Sequence, residues 1–349
     1  MSYQITIQSS GHHYSASASQ TLLQSALDAG INLPYNCRNG ACGSCKGTVV
    51  SGEVDYGDYL SSALTAAEKA AGKALFCCAL PLSDLLIECR EINADLIPPR
   101  IIPARLERKQ LLAPDVMALF LKLPSSEQFK FLPGQYIEFL LKDGQRRAFS
   151  LANAPQAGSL LELHLRLIPG GQFTHYVFND MPEKAIMRIE APFGSFYLRE
   201  DSNKPIIMLA GGTGFAPIKA MVEHMITHNI NREVKLYWGA RARQGLYMSA
   251  LAEAWAAAQP NIQFIPVLSA ASAADQWQGR SGLVHQAVLD DFAAADAGVL
   301  ADYEVYCCGA PAMVEVAQAS FLEAGLGEDA FFADVFSYAP PVAGTDLKI

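Results

Sequence analysis

No stretch of about 18 residues in this sequence is free of both charged side chains and proline or glycine breaks, which argues against a membrane-spanning helix. The first ten residues lack a positively charged start followed by an apolar run, so no secretory signal is read and a soluble cytoplasmic protein is expected. Basic residues are scarce beside acidic ones, 26 against 35, for a net charge of −9. That deficit argues against nonspecific nucleic-acid binding, which needs Lys and Arg to displace counterions from phosphates. The deficit is uneven: residues 1–92 carry 5 basic and 8 acidic side chains, residues 93–200 carry 13 and 11, and residues 201–349 carry 8 and 16. Only the middle segment is basic, which suits a region that holds a diphosphate.

What is present is more specific. At 349 residues the chain is long enough for two or three domains, each with its own core. Its eight cysteines would suggest disulfides in a small secreted protein, but half fall in one pattern and the rest in apolar strand-like runs, so reduced thiols are expected. The pattern is Cys37-Arg38-Asn39-Gly40-Ala41-Cys42-Gly43-Ser44-Cys45, with a distant fourth candidate at Cys77. Spacings of four and then two residues, with the last cysteine far downstream, match plant-type [2Fe-2S] ligation and neither of the usual zinc spacings. Gly40 and Gly43 allow positive φ, so the backbone can wrap tightly and offer N–H groups to the sulfurs. The alternative is a zinc knuckle or a set of reduced structural thiols.

Around this loop, residues 1–92 read as one domain. Tyr3 to Gln8 and Tyr14 to Ala18 alternate as a hairpin across Ser10-Gly11. Thr21 can cap a helix with Leu22, Leu23, Ala26 and Leu27 on its apolar face and Gly30 at its end. Lys46 to Val54 reads as a strand, and Thr65-Ala66-Ala67-Glu68 is a capping box. Together these resemble a plant-type ferredoxin domain, a small β-grasp fold, of the kind fused to flavin reductases. The resemblance implies Cys37, Cys42, Cys45 and Cys77 as ligands. In that family the last ligand precedes a polar residue, so the neighbouring Cys78 is a departure that keeps Cys78 open as the alternative. Cys89 is expected as a buried strand residue.

Pro98, Pro99 and Pro103 mark a linker. Beyond it, over residues 100–200, strand-like runs at Val116 to Leu123, Tyr136 to Leu141 and Leu160 to Ile168 suggest an antiparallel barrel. Arg147-Ala148-Phe149-Ser150, preceded by Pro133-Gly134-Gln135-Tyr136, resembles the flavin signature of the ferredoxin-NADP reductase superfamily. There the arginine holds a flavin phosphate, the aromatic ring packs on the isoalloxazine, and the serine hydrogen-bonds its reactive nitrogen; Phe149 stands for the more usual tyrosine. Gly170-Gly171-Gln172-Phe173-Thr174 opens a helix to Asn179 whose start can face the flavin diphosphate. Alone it reads equally as an ordinary turn with Thr174 as a cap. Pro192 to Phe196 also resembles the end of this domain in the family.

From residue 201 to 349 the pattern becomes strands alternating with helices, at Ile206 to Ala210, Val234 to Trp238, Ile262 to Leu268 and Glu304 to Cys308, which reads as a Rossmann-like parallel sheet. Gly211-Gly212-Thr213-Gly214-Phe215-Ala216-Pro217 lacks the G-x-G-x-x-G fingerprint. It resembles the nicotinamide-nucleotide loop of the same superfamily, with glycines for close backbone approach and Pro217 in a first helical turn. Cys308-Gly309-Ala310-Pro311 resembles the family motif that sets a thiol beside the reactive nicotinamide carbon, while Cys307 reads as packing. Phe331 to Tyr338 can bring Phe336 towards the flavin, with the Asp334 carboxylate equally able to lie in solvent. Ser269 to Ala274 carries no base, which favours NADH; Arg241 and Arg243 leave NADPH open.

The resemblance covers nearly the whole chain. It implies an NADH-dependent iron-sulfur flavoprotein reductase that passes electrons from NADH to FAD to [2Fe-2S], with Ser150 and Cys308 at the reacting centre. The implied acceptor is a partner protein, either an oxygenase component or a pyridoxamine-dependent dehydrase acting on CDP-6-deoxyhexoses (the glucoseen reductase branch). A reading of a different class is a redox-sensing regulatory subunit that binds the same cofactors and signals by conformation.

Overall fold

Alternating apolar residues at the N-terminus form a hairpin, β1 (Ser2–Ile7) and β2 (His13–Ser17), with Ile5, Ile7, Tyr14 and Ala16 turned into the core. The structure, a computed structural model, describes residues 1–92, 97–156, 160–294 and 299–336 and divides into two units, residues 1–97 and 98–349. In the first unit the Thr21 hydroxyl accepts from the Gln24 N–H at 3.3 Å and caps α1 (Leu22–Asp28), and Gly30 leaves the helix at φ +77°. β3 (Lys46–Ser51) ends before the expected Val54, because Gly52 turns the chain at φ +97° where a Cβ would lie 2.3 Å from the Asp84 carbonyl oxygen. The run resumes as the short β4 (Val54–Asp55). α2 (Ala66–Ala70) has the expected reciprocal capping box between Thr65 and Glu68.

β5 (Lys73–Leu75), β6 (Leu80–Pro81) and β7 (Leu85–Glu88) complete this unit. Its main sheet has the order β2-β1-β7-β3-β5, with β1 and β7 parallel, and α1 buries Leu22, Leu23 and Ala26: a β-grasp arrangement. Cys89, expected inside a strand, lies just past β7 and is only half-buried.

The second unit begins with six antiparallel strands, β8 (Arg100–Ala113), β9 (Val116–Lys122), β10 (Tyr136–Leu140), β11 (Arg146–Ser150), β12 (Leu160–Arg166) and β13 (Ile186–Phe193), with α3 (Gln172–Asn179) before the last. The sheet order is β11-β10-β13-β8-β9-β12, and a bridge between Leu151 and Leu163 joins its two edges into a barrel. Pro103, expected in the linker, lies within β8. It faces Arg188 of β13 at a point before β9 begins pairing at Arg105, so its missing N–H costs no ladder bond on that side.

A parallel sheet follows: β14 (Ile206–Gly211), α4 (Phe215–Thr227), β15 (Val234–Ala240), α5 (Ser249–Ala258), β16 (Ile262–Leu268), β17 (Arg280–Ser281), α6 (Val284–Ala294), β18 (Glu304–Gly309), α7 (Pro311–Glu323) and β19 (Phe331–Val335). The order β17-β16-β15-β14-β18-β19 reverses direction between β14 and β18. In open α/β sheets that switch point opens a crevice at the carboxyl ends of the strands. Gly211 and Gly309 end the two strands there. Of the C-terminal run expected to approach the flavin, Ser337 and Tyr338 lie outside the described residues. Among the described residues no helix is long and apolar enough to cross a membrane.

Candidate functional site

The four expected cluster ligands come together as two pairs. The Cys42 N–H points at Cys37 Sγ at 3.3 Å, the Cys37 N–H at Cys42 Sγ at 3.4 Å, and the Ala41 N–H adds a second contact to Cys37 Sγ at 3.4 Å. The Cys77 N–H points at Cys45 Sγ at 3.5 Å. The Cys42 thiol holds Cys37 down to about 7, and the thiols of Cys45 and then Cys78 hold Cys77 down to about 4. Four thiols in two pairs are the donor set of an all-cysteine [2Fe-2S] site, so the residues present fit that cluster. Gly40 is required for this wrap: at φ +72° a Cβ would stand 2.8 Å from both Asp58 O and Cys78 Sγ. Cys78 Sγ lies 3.5 Å from Cys77 Sγ, and it is Cys77 whose N–H and thiol engage Cys45.

In the second unit, β11 places Arg147 and Phe149 on one face and Ser150 on the other. The Arg147 guanidinium contacts Gln145 and donates to Arg146 O at 2.9 Å. The Phe149 ring packs 5.9 Å from Phe139 and 5.6 Å from Phe173, which brings the start of α3 alongside. Gly170 takes φ +75°, and Gly171 is the N-cap of α3. Thr174 ties that turn together, accepting from the Ile168 N–H at 3.1 Å and donating to Gly171 O at 3.2 Å.

Ser150 is buried, and its hydroxyl donates to Asp334 Oδ2 at 3.0 Å. Asp334 is 4% exposed, so its expected alternative place in solvent is excluded by β19, which carries it under the barrel edge. Cys308 is fully buried beside it, its thiol pushed well up by burial and then by the Asp334 carboxylate. The Phe336 N–H donates to Gly309 O at 2.9 Å, and the Phe336 ring packs on the core of the parallel sheet.

The glycine loop is fitted to this centre. A Cβ on Gly214 would lie 2.1 Å from the Cys308 carbonyl oxygen, and one on Gly211 would lie 2.5 Å from Met313 Sδ. Gly212–Gly214 forms a short 3-10 turn with Thr213 buried, and Pro217 falls in the first turn of α4. The Trp238 indole donates to Gly212 O at 2.9 Å and stacks on Phe215 at 3.8 Å, fixing the turn from behind.

Arg166 was not singled out from the sequence. Its Nη1 lies 3.3 Å from Asp115 Oδ2, while Nε and Nη2 are buried without a hydrogen-bond partner among the described residues. A Cβ on Gly212 would be 3.1 Å from Arg166 Nη2, so these unsatisfied donors flank the glycine loop at the start of α4. That is a fit for a diphosphate. The signal was the alternation of β12, in which Leu161, Leu163 and Leu165 fill the barrel while Glu162, His164 and Arg166 take the opposite face.

Comparison with known proteins accords with this geometry. Family models match in chain order: a 2Fe-2S iron-sulfur cluster binding domain over residues 5–82, an oxidoreductase FAD-binding domain over 103–197 and an oxidoreductase NAD-binding domain over 208–319. The CDP-6-deoxy-L-threo-D-glycero-4-hexulose-3-dehydrase reductase of Yersinia pestis is 39% identical over 337 residues, covering 96% of this chain and 99% of the relative. The phenol 2-monooxygenase reductase component DmpP of Pseudomonas sp. (strain CF600) is 35% identical over 358 residues, covering 100% and 98%. Among solved structures, the Amycolatopsis cytochrome P450 reductase GcoB superposes with a TM-score of 0.76 at 31% identity, covering 96% of this chain and 98% of that one. The chain therefore belongs to the family of iron-sulfur flavoprotein reductases, NAD(P)H-dependent oxidoreductases that join a 2Fe-2S domain to FAD- and NAD-binding domains and transfer electrons from NADH through FAD to the cluster.

Proposed function

We propose that hydride transfer takes place where Ser150, Asp334 and Cys308 meet, and that the paired cysteines of the first unit are the outlet for electrons. When bound, FAD supplies hydride acceptance and the split into single electrons, and the cluster supplies one-electron transfer. The observation that carries this reading is the Ser150 to Asp334 hydrogen bond beside the buried Cys308. Ser150 presents a hydroxyl oriented by a buried carboxylate: with its proton given to Asp334 its oxygen is left to accept from a flavin ring N–H, and turned away from Asp334 it would donate to a ring nitrogen instead. Cys308, fully buried and kept neutral, backs this centre with an uncharged thiol. Arg147 and the start of α3 would hold the flavin diphosphate, and Arg166 with Gly211 to Gly214 the diphosphate of NADH. Cys37, Cys42, Cys45 and Cys77 would hold the cluster. Anaerobic titration with NADH tests the route: flavin bleaching followed by the paramagnetic signal of a reduced cluster is expected, and bleaching without that signal would refute the outlet.

For the acceptor, we infer a dehydrase acting on a CDP-linked 6-deoxy-hexulose. Support comes from the 39% identity to the dehydrase reductase, against 35% for the phenol and terephthalate oxygenase reductases. NADH oxidation that requires both such a dehydrase and its nucleotide-sugar substrate is the expected result. Coupling to an oxygenase component instead would assign the chain to the other branch, and slow turnover with every acceptor would revive a sensing role.

A further inference from the structure

The polar face of β12 makes three contacts in a row with the parallel-sheet half of the second unit. Glu162 Oε2 meets Lys219 Nζ of α4 at 3.0 Å, and that ammonium also donates to Ala152 O at 2.9 Å and pairs with Glu223 at 2.9 Å. His164 stands between Glu162 Oε1 at 2.9 Å on one ring nitrogen and the Tyr247 hydroxyl at 2.9 Å on the other. Arg166 is the third, with its unsatisfied Nε and Nη2 beside Gly212.

The pattern of donors settles the middle contact. A carboxylate only accepts, so His164 Nε2 carries the proton given to Glu162, and Nδ1 accepts from the Tyr247 hydroxyl. Lys219 is 4% exposed and fully engaged, and the His164 side chain is completely buried. Tyr247 also packs edge-on against Trp238 at 5.2 Å, the side chain whose indole holds Gly212 O. One buried chain of contacts thus runs from α4 through β12 to the residue bracing the glycine loop, and Arg166 extends from the same strand face.

We propose that Tyr247 and His164 are positioning residues for nicotinamide-dinucleotide binding: their hydrogen bond locks β12 against the glycine loop, so that Arg166 presents its free N–H groups to the dinucleotide diphosphate. The Arg166 side chain is 31% exposed, but its Nε and Nη2 are buried without an acceptor, which is costly unless an anion completes them. The Glu162 and Lys219 pair anchors the strand, and the His164 to Tyr247 bond sets its register against the loop. This rests on the reading of Arg166 as a dinucleotide contact.

The test uses the full-length holoenzyme loaded with FAD and cluster. Tyr247→Phe removes only the hydroxyl and keeps the ring on Trp238. The expected result is a rise of about fivefold to tenfold in KM for NADH, with kcat changed less than about twofold and flavin and cluster absorption unaltered. Arg166→Ala raises KM alone, and in the Arg166→Ala background Tyr247→Phe adds nothing further, because the tyrosine acts through the arginine. An equal rise in both backgrounds would make Tyr247 a direct contact and overturn the proposal. An unchanged KM in Tyr247→Phe, whatever happens to thermal stability, would make the network merely structural. An unchanged KM in Arg166→Ala would instead refute the reading of Arg166 itself.

Discussion

The Ser150 hydroxyl donates to Asp334 Oδ2 at 3.0 Å, joining the end of β11 in the barrel to β19 at the edge of the parallel sheet. A hydrogen bond between groups so far apart in the chain couples the flavin half of the second unit to the nicotinamide half. Ser150→Ala is expected to slow flavin reduction by NADH about 100-fold in stopped flow, the usual scale for loss of one positioned hydrogen bond at a reacting atom. Asp334→Asn keeps the side-chain shape and loses the charge, so a smaller loss is expected. Equal rates in Ser150→Ala and the parent protein would remove Ser150 from the reacting centre.

The expected fourth ligand, Cys77, is separable from Cys78 by its neighbours. Cys77 engages Cys45 through both its N–H and its thiol, whereas Cys78 touches Cys77 from outside the pair at 3.5 Å. Cys77→Ser is expected to abolish the visible absorption and the reduced-state paramagnetic signal. Cys78→Ser is expected to keep both, with flavin bleaching by NADH intact in each variant. The opposite assignment follows if absorption is lost only in Cys78→Ser.

Much of this architecture was readable from residue order, and the reasons are local. The Thr65 capping box, the Gly30 helix end and the Cys37 to Cys45 loop are short-range features whose chemistry depends on neighbours in sequence. β8 escaped because its three flanking or internal prolines read as punctuation, and only the sheet shows that Pro103 pairs with β13 before β9 joins on the other side. Arg166 escaped, and the burial of Asp334 stayed open, for a different reason. Their roles depend on partners in other strands, and a carboxylate or guanidinium carries no mark in the sequence of whether it will be buried. Even so, the polar triplet Glu162, His164 and Arg166 between leucines was visible as a strand with two occupied faces.

Buried His164 makes stability depend on pH in a stated direction. Burial, outweighing the Glu162 carboxylate, holds its pKa below the ordinary 6.5. The unfolded chain therefore binds a proton below about pH 6.5 that the folded chain refuses, and stability falls as pH drops through that region. The contribution is complete above the unfolded value and erodes below it. His224 and His285 are shifted the same way, chiefly by burial, so they add to the slope. Thermal unfolding of the holoprotein between pH 7 and 5 is expected to show a falling midpoint, with a shallower fall in His164→Gln. An identical slope in that variant would place the acid sensitivity elsewhere.

Coenzyme choice is expected to rest on the loops after β15 and β16. The Arg243 N–H donates to Asp275 Oδ1 at 2.8 Å and its guanidinium reaches Asp275 O at 3.4 Å, so Arg243 is turned towards an acidic residue. The Asp275 carboxyl is held below its usual range by the Ser272 N–H and hydroxyl and by the Arg243 N–H, and remains charged. A negative group there opposes a 2′-phosphate and tolerates a 2′-hydroxyl. NADH is expected to exceed NADPH in kcat/KM by at least about tenfold, and Asp275→Asn to narrow the gap mainly by raising NADPH. Equal use of both coenzymes by the parent protein would show that this loop does not meet the ribose.

Gly214 and Gly170 separate two uses of glycine that look alike in sequence. At Gly170 only the backbone angle matters: φ is +75° and a Cβ would meet nothing within 4 Å, so Gly170→Ala costs about 1–2 kcal/mol of strain and little else. At Gly214 the space matters, because a Cβ would lie 2.1 Å from the Cys308 carbonyl oxygen and 2.6 Å from its carbon, both backbone atoms that cannot swing aside. Gly214→Ala must therefore push the start of α4 away from the turn after β18, separating the glycine loop from Cys308. The expected result is a rise of more than about tenfold in KM for NADH, with FAD and cluster content kept because their ligands lie elsewhere. Gly170→Ala should leave that KM within about twofold of the parent. A variant Gly214→Ala with unaltered NADH kinetics would mean that the close backbone contact at β14 and β18 is not what shapes the nucleotide site.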